Sequence, residues 1–167
     1  MRLIKGFLKS YLLDPELIRR REALEKIPIF RSLTSNQLTR VLTMLYHRNY
    51  QEGEVIFKEG DIGRALFIIG SGKVGLYRKD KKGHEQELAV LEPGDFFGEM
   101  ALLEEMPRSA RAVAVEPSSL FFLYKSSLDG FIVQRPDIGA SILSALAKLL
   151  SARLRNISSQ IAKADLK

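Results

Sequence analysis

The chain has 167 residues, a formal net charge of +6 and no cysteine. This length suits one domain with a sizeable core, and the lack of cysteine excludes disulfides and thiolate metal sites. No apolar run approaches the roughly 18 residues that a membrane span needs, and the amino terminus lacks the apolar core and cleavage site of a signal peptide. These features predict a cytoplasmic protein, in keeping with a reducing compartment.

The basic excess lies at the two ends of the chain. Residues 1–31 hold eight Lys or Arg against four Asp or Glu, and residues 135–167 hold six against two. The central part is therefore slightly acidic. Such ends either attract acidic lipid, nucleic acid or an acidic partner, or are ordinary solvated helix faces, and the pattern leaves both interpretations open.

Three helices are predicted before the first strand. Apolar residues at helical spacing predict the first helix over residues 2–13. An N-cap aspartate followed by proline, Asp14-Pro15, starts the second helix. Thr34 and Gln37 form a capping-box pattern for the third, which is predicted to run to about Tyr46.

From His47 onward, glycine-punctuated runs of β-forming residues replace the helical pattern. Short strands with frequent glycine turns are typical of a sandwich or barrel. Six strands are predicted, over residues 54–59, 65–70, 73–79, 85–92, 109–115 and 119–125. The run Lys81-Lys82-Gly83 is predicted to be a hairpin tip.

The helical pattern returns after Lys125. A short helix is predicted over residues 126–134, and Pro136 starts a long one that runs to about Ala162. A heptad stripe follows the long helix, with a second apolar stripe beside it: Leu143, Ala147, Leu150, Leu154, Ile157 and Ile161 in the first, and Ile142, Leu146 and Leu149 in the second. One stripe can pack on the strands while the other meets a partner helix, so a homodimer through this helix is predicted.

The order of these elements predicts an α+β fold, an antiparallel β-barrel with N-terminal helices and a long C-terminal helix. The predicted parts are an N-terminal helical segment (1–46), the barrel (47–124) and the C-terminal helices (125–167). The first helix is basic and apolar. It could lie on a membrane surface, dock to an effector protein or pack on the barrel, and the sequence leaves these alternatives open.

The stretch 97–110 carries the strongest functional signal. Gly98 permits a tight turn before Glu99–Leu103, which is predicted to be one short helical turn whose amides can face an anion. Arg108 follows a proline and can grip two phosphate oxygens together. Ser109 adds a hydroxyl and an amide. One cation, several amide donors and one carboxylate suit a ligand that carries a phosphate charge beside a sugar hydroxyl.

This stretch, FGEMALLEEMPRSA, resembles the phosphate-binding cassette of the cyclic-nucleotide-binding domain family. That family includes the bacterial catabolite activator protein, protein kinase A regulatory subunits and cyclic-nucleotide-gated channels. Further segments resemble the family's strand and turn signatures: Ile29-Phe30 with Leu33, Glu54–Phe57, Glu59–Asp61, Gly70–Val74 and Pro93–Glu99. The resemblance implies a jelly-roll-like barrel, also described as a double-stranded β-helix, that senses a cyclic purine nucleotide.

The resemblance also implies residue roles. Glu99 would accept a hydrogen bond from the ribose 2′-hydroxyl, and Arg108 would pair with the cyclic phosphate. Further phosphate donors would be Ser109 and the amides of Gly98, Ala101 and Ala110. The residues implied to pack on the purine are Leu76, Leu88 and Val74.

The long C-terminal helix would close over the base as a lid and so couple ligand binding to a rearrangement of that helix. The residues that its register could bring to the base are Arg153, Asn156, Ile157 and Ser158, and we favour Arg153. Threonine directly after the cassette arginine often accompanies cGMP in the family. The serine at position 109 therefore favours cAMP over cGMP, and no cofactor besides this ligand is expected.

Other functions are weighed against this one. A metal-dependent cupin enzyme needs clustered histidines, whereas His47 and His84 lack metal-ligand spacing. No nucleophile–base arrangement stands out either, so catalysis is not predicted. One alternative is that Arg108 and Glu99 simply form a salt bridge. Another is a degenerate pocket that binds nothing or another anion, which would leave a scaffold that binds a protein or a membrane without nucleotide. Because no helix-turn-helix follows the long helix before Lys167, direct sequence-specific DNA binding is not expected.

Overall fold

The computed structural model describes residues 20–22, 24–80 and 82–164. The helix predicted over residues 2–13 and the start of the second helix at Asp14-Pro15 lie outside the described residues. Residues 20–22 and 24–25 are helical. The turns that follow them bury an apolar group in the main core, together with the last helical leucine: Leu24, Ile27, Ile29, Phe30 and Leu33.

Helix α1 (Ser35–Leu42) begins with the predicted capping box. Thr34 Oγ1 accepts from the Gln37 amide at 3.4 Å, and Gln37 Oε1 accepts from the Thr34 amide at 2.8 Å. These reciprocal bonds satisfy two amides that a helix start leaves unpaired. The helix is shorter than predicted because Tyr46 already pairs with Phe122 in a sheet.

Eight strands lie within the described residues, and every strand pair is antiparallel. They are β1 (Tyr46–Tyr50), β2 (Val55–Phe57), β3 (Ala65–Ser71), β4 (Val74–Lys79), β5 (Glu85–Leu91), β6 (Phe96–Phe97), β7 (Arg111–Ala114) and β8 (Ser118–Tyr124). The six predicted strands are confirmed with small shifts at their ends. Strands β1 and β6 were missed, because β1 is polar and mostly exposed and β6 has two residues.

The strands form two four-stranded sheets, in the orders β1-β8-β3-β6 and β2-β7-β4-β5. No hydrogen-bonded strand pair joins the sheets in the described part of the chain, so the jelly roll consists of two facing sheets and is not a closed cylinder. Along β8, Leu120 and Phe122 belong to the core between the sheets, whereas Phe121 and Leu123 belong to the core under the helices. The predicted α+β class, with antiparallel sheets and flanking helices, is confirmed.

Two helices follow the strands, α2 (Lys125–Gln134) and α3 (Pro136–Ala164), as predicted. Ile142 and Leu146 are fully buried, whereas Leu154 in the heptad stripe is 65% exposed. The second stripe therefore packs on the core, and the homodimer through the first stays a prediction, as does the division at residues 46/47 and 124/125. Within the described residues, the model has no helix with the length and apolar character of a bilayer span.

The start of α3 is tied to α1. Gln37 Nε2 donates to Asp137 Oδ2 at 2.9 Å, and Arg135 donates two hydrogen bonds to the same carboxylate, at 3.0 and 3.1 Å. The bonds from Arg135 and Gln37 lower the pKa of Asp137 to about 2. The first turn of α3 is thus fixed to the helical layer, and this anchor sets the direction of the helix.

Candidate functional site

A cavity of about 420 Å³ opens beside the 3₁₀ helix Glu99–Leu102. One wall comes from the sheet β2-β7-β4-β5, another from the stretch 97–110, and α3 contributes one side chain. The lining brings together most of the predicted site: Leu76, Gly98, Glu99, Ala101, Arg108, Ser109, Ala110 and Arg153. The stretch with the strongest sequence signal therefore borders a concave site.

Arg108 supplies a cation to this cavity. Its Nη2 donates to the Ala65 carbonyl at 2.8 Å and its Nη1 donates to the Gly98 carbonyl at 3.3 Å. Its guanidinium carbon lies 4.3 Å from the ring centroid of Phe57, a cation–π contact. The ring of Phe67 lies farther off, at 5.5 Å. Two neutral acceptors and two rings therefore fix the side chain in place without cancelling its charge.

The charge of Arg108 has no carboxylate in ion-pair contact among the described residues. The Arg108–Glu99 salt bridge that we considered as an alternative is therefore not formed. Burial lowers the pKa of Arg108, and the more distant carboxylates of Asp61 and Glu99 oppose that shift. Since an uncompensated buried charge is costly, a guanidinium held here is suited to an anion that arrives from outside, such as a phosphate.

Two glycines let the backbone approach Arg108. Gly98 has a φ of +73°, and a Cβ there would lie 2.5 Å from Arg108 Nη1. A Cβ at Gly63 would lie 2.9 Å from that of Ala101. The loop that carries Gly63 also holds the cassette backbone, because the Arg108 amide donates to the Asp61 carbonyl at 2.7 Å. We did not predict a role for this loop or for Phe57, since only tertiary packing brings them beside Arg108.

The predicted phosphate donors other than Gly98 divide into two groups. The amides of Ser109 and Ala110 and the Ser109 hydroxyl make no hydrogen bond within the described residues, and both residues line the cavity. The Ala101 amide instead donates to the Gly98 carbonyl at 3.2 Å, as the i+3 donor of a 3₁₀ turn. Ala101 could therefore donate to a ligand only if this bond opened.

Glu99 and Arg153 meet in the cavity. The Glu99 side chain is only 6% exposed, and Arg153 Nη1 donates to its Oε1 in an ion pair. Arg153 is 51% exposed, and its guanidinium carbon lies 5.9 Å from the ring centroid of Phe96. The favoured lid residue thus reaches the site, but it contacts the predicted ribose acceptor. Of the other three candidates, Asn156 lines a different concavity, Ser158 is exposed, and the side chain of Ile157 lies outside the described residues.

The apolar wall differs from the predicted purine-packing set. Leu76 lines the cavity, together with Ala89 and Leu91, which we did not predict. Val74 is fully buried between the sheets, too deep to reach the cavity surface. Leu88 is 45% exposed. It is the extra residue of a β-bulge on β5, because the adjacent β4 residues Leu76 and Tyr77 pair with Ala89 and Glu87 and skip it. The structure therefore places neither Val74 nor Leu88 in the cavity lining.

Comparisons with known proteins agree on one family. The family model described as the cyclic nucleotide-binding domain matches residues 47–135. The cyclic AMP receptor protein of Thermus thermophilus is 41% identical over 77% of this chain and 57% of its own length. A cyclic nucleotide-binding domain from Methylobacillus flagellatus, a solved structure, is 26% identical with a TM-score of 0.76, over 89% of this chain and 84% of that one.

A third relative corrects one prediction. A protein of Mycobacterium tuberculosis that is 29% identical over 84% of this chain is named a CRP-like cAMP-activated global transcriptional regulator. The chain spans 57% and 62% of the two curated relatives. The exclusion of sequence-specific DNA binding is therefore wrong. It rested on where the chain ends, and a sequence that spans about three-fifths of its relatives, one of them named a transcriptional regulator, carries no such argument.

Proposed function

The chain belongs to the cyclic nucleotide-binding domain family, and on that premise we propose that it is a regulatory module that binds cAMP in preference to cGMP and transmits binding through α3. One observation carries this proposal. Within the described residues, the partly buried guanidinium of Arg108 has no ion-pair partner, and it lines the same cavity as the amides of Ser109 and Ala110, which make no hydrogen bond there.

These three residues suit the phosphate end of the ligand. An arginine fork binds two oxygens of one phosphate, and charge-assisted bonds of this kind are stronger than neutral ones. The free amides and the hydroxyl of Ser109 can take further oxygens without breaking a bond inside the protein. A cyclic phosphodiester has one negative charge, which the guanidinium of Arg108 can balance.

The ribose and the base are argued from the rest of the lining. The Glu99 carboxylate can accept a hydrogen bond from a sugar hydroxyl. Leu76, Ala89 and Leu91 offer an apolar wall to a purine. The volume of about 420 Å³ lies within the roughly 300–1,000 Å³ of typical small-molecule sites. Serine at position 109, where threonine often accompanies cGMP in the family, is the basis for favouring cAMP.

The coupling to α3 is argued from the ion pair between Glu99 and Arg153. A ribose hydroxyl and the Arg153 guanidinium would use the same buried carboxylate. We infer that the sugar displaces Arg153 from Glu99 and so releases the part of α3 that carries it. A ligand shifts such an equilibrium only through different affinities for its two states, and the exchange at Glu99 supplies that difference.

The test is titration calorimetry with cAMP, cGMP and 5′-AMP. We expect cAMP to bind most tightly and 5′-AMP to bind least, because the open phosphate carries more charge and a different shape. Nucleotide recovered unchanged after incubation would support binding without catalysis. Failure of both cyclic nucleotides to bind would overturn the proposal in favour of a scaffold.

The matched variants are Arg108→Ala and Arg111→Ala. Loss of Arg108 should cost about 2–5 kcal/mol of binding, the usual range when one partner of a buried charged pair is removed, or roughly 30- to several-thousand-fold. Arg111 is three residues away but binds Glu85 through two hydrogen bonds, at 2.8 and 3.0 Å, outside the cavity. Equal affinities of the two variants would remove Arg108 from the site.

A further inference from the structure

A second concavity, of about 710 Å³, runs along α3 and the turns near residue 31. We call it the α3 groove and define it by Arg31, Ser144, Ala145, Lys148, Ala152 and Arg153. Its α3 residues recur at three- and four-residue steps from Ser141 to Asn156, so they form one stripe along about four turns, roughly 22 Å. Small side chains at positions 144, 145 and 152 leave a shallow trough that a second helix can approach closely.

The charge of the α3 groove has one sign. Arg31, Lys148 and Arg153 line it, and among the described residues no aspartate or glutamate does so. Neither Arg31 nor Lys148 forms an ion pair within the described residues, where Arg31 Nε donates only to the Lys26 carbonyl. Two cations beside the trough therefore have no carboxylate partner in the part of the chain that the structure describes.

A second copy of this chain does not match that charge. From Ile138 to Ala164, α3 carries four basic residues and no acidic one. Two copies packed through this face would bring like charges together, which disfavours an interface. A helix with carboxylates at three- and four-residue spacing has the complementary charge and the complementary length.

We propose that the α3 groove is a docking site for an acidic helix of a partner protein. Its carboxylates pair with Arg31 and Lys148, and its backbone lies over the small residues. Arg153 lines both this groove and the nucleotide cavity. A partner carboxylate that pairs with Arg153 would draw it away from Glu99. The ribose is inferred to separate the same two residues. This second half rests on the proposed function, and it makes partner and nucleotide strengthen each other's binding, since coupling between two sites is reciprocal.

The docking test is fluorescence anisotropy with a labelled helical peptide of about six turns that carries glutamate at three- and four-residue steps on an alanine background. Its control is the same peptide with lysine in place of glutamate. The acidic peptide should bind more tightly at low salt than at high salt, and the lysine peptide should not bind. Equal binding of both peptides, or no binding of the acidic one, overturns the docking site.

Charge-reversed variants locate the binding. Arg31→Glu combined with Lys148→Glu should weaken the acidic peptide at least about tenfold, as expected for charges at an interface. Arg40→Glu combined with Arg78→Glu makes the same charge change at exposed residues outside the groove, and it should alter the affinity by less than about twofold. An equal loss of peptide affinity in the two double variants would show that the peptide responds only to net charge, and it would overturn the proposal.

A steric variant keeps the charge constant. Ser144→Trp fills the trough and should abolish peptide binding, whereas Ser151→Trp, on the same helix but outside the groove, should not; circular dichroism confirms that both fold. If Ser144→Trp instead dissociates a dimer in sedimentation, a second copy is the occupant and the proposal is wrong. Peptide affinity that is equal with and without cAMP overturns the coupling and leaves docking intact. If the wild-type protein does not bind cAMP, the proposed function is wrong, and the docking site still stands.

Discussion

Two arginines enter one cavity, and the structure holds them in opposite ways. Arg108 is braced by two backbone carbonyls and by the ring of Phe57, and it is partly buried. Arg153 is half exposed and reaches the cavity from a helix to pair with one side chain, Glu99. The backbone acceptors of Arg108 cannot move without opening the sheet and the cassette, whereas the contact of Arg153 can exchange. The first arrangement suits binding and the second suits signalling.

After the loss of Arg108 itself, the largest effect is expected from Gly98→Ala. The left-handed backbone disfavours any side chain, and the new Cβ would displace the guanidinium, whose Nη1 would lie 2.5 Å away. The affinity for cAMP should fall about 10- to 100-fold, or roughly 1.4–2.8 kcal/mol, by calorimetry. Gly94→Ala is the control, since its φ is +94° but nothing lies within 4 Å of a Cβ there. An equal loss in the control would assign the effect to backbone strain.

The next-largest effect is expected from the cation–π contact between Phe57 and Arg108. Phe57→Leu removes the cation–π contact at 4.3 Å and should weaken cAMP binding about threefold to tenfold, in line with a contact of roughly 0.5–2 kcal/mol. Phe67→Leu is matched to it, because Phe67 belongs to the same aromatic cluster and makes the longer of the two cation–π contacts, at 5.5 Å, so its loss should weaken binding less. Thermal unfolding should show a stability loss in both variants. A weaker affinity in Phe67→Leu than in Phe57→Leu would contradict the assignment.

A smaller effect of opposite sign is expected at the exchangeable arginine. Arg153→Ala removes the competitor of the ribose for Glu99 and leaves that buried carboxylate unpaired in the free protein, and both changes favour the nucleotide. Affinity should rise about twofold to fivefold, or roughly 0.4–1 kcal/mol, because solvent screens the half-exposed Arg153 and keeps its contact with Glu99 weak. Arg155→Ala is the control, since Arg155 donates to Ser151 on its own helix. Weaker binding by Arg153→Ala would show that Arg153 contacts the bound ligand.

The smallest effect concerns the fixed end of α3. The pKa of Asp137 is lowered from 3.8 to about 2 in the fold, so its ion pair stabilises the protein above about pH 4, and that contribution is lost as the pH falls towards 2. The difference in free energy of unfolding between wild type and Asp137→Asn, measured in urea, should be constant near neutral pH and shrink below pH 4. A difference that does not change with pH would rule out this anchor.

Parts of the helical layer and of the nucleotide cavity were predictable because their signals are local. The capping box at Thr34 and Gln37 depends on residues three apart and was found as predicted. The same holds for the turn at Gly98 and for the short helix that follows it. Which side chains of β5 face the cavity was not predictable in this way. The bulge at Leu88 breaks the two-residue alternation of faces that a strand otherwise follows.

The sequence by itself determined which local elements form and which residues could bind an anion and a sugar, since those depend on spacing, side-chain chemistry and backbone freedom over a few residues. Only the tertiary structure decided that Phe57 and the Ala65 carbonyl brace Arg108, that Glu99 pairs with Arg153, and that Val74 lies beneath the cavity wall. Each of these depends on strand register and helix placement. Packing between segments far apart in the chain fixes those, and no local pattern encodes them.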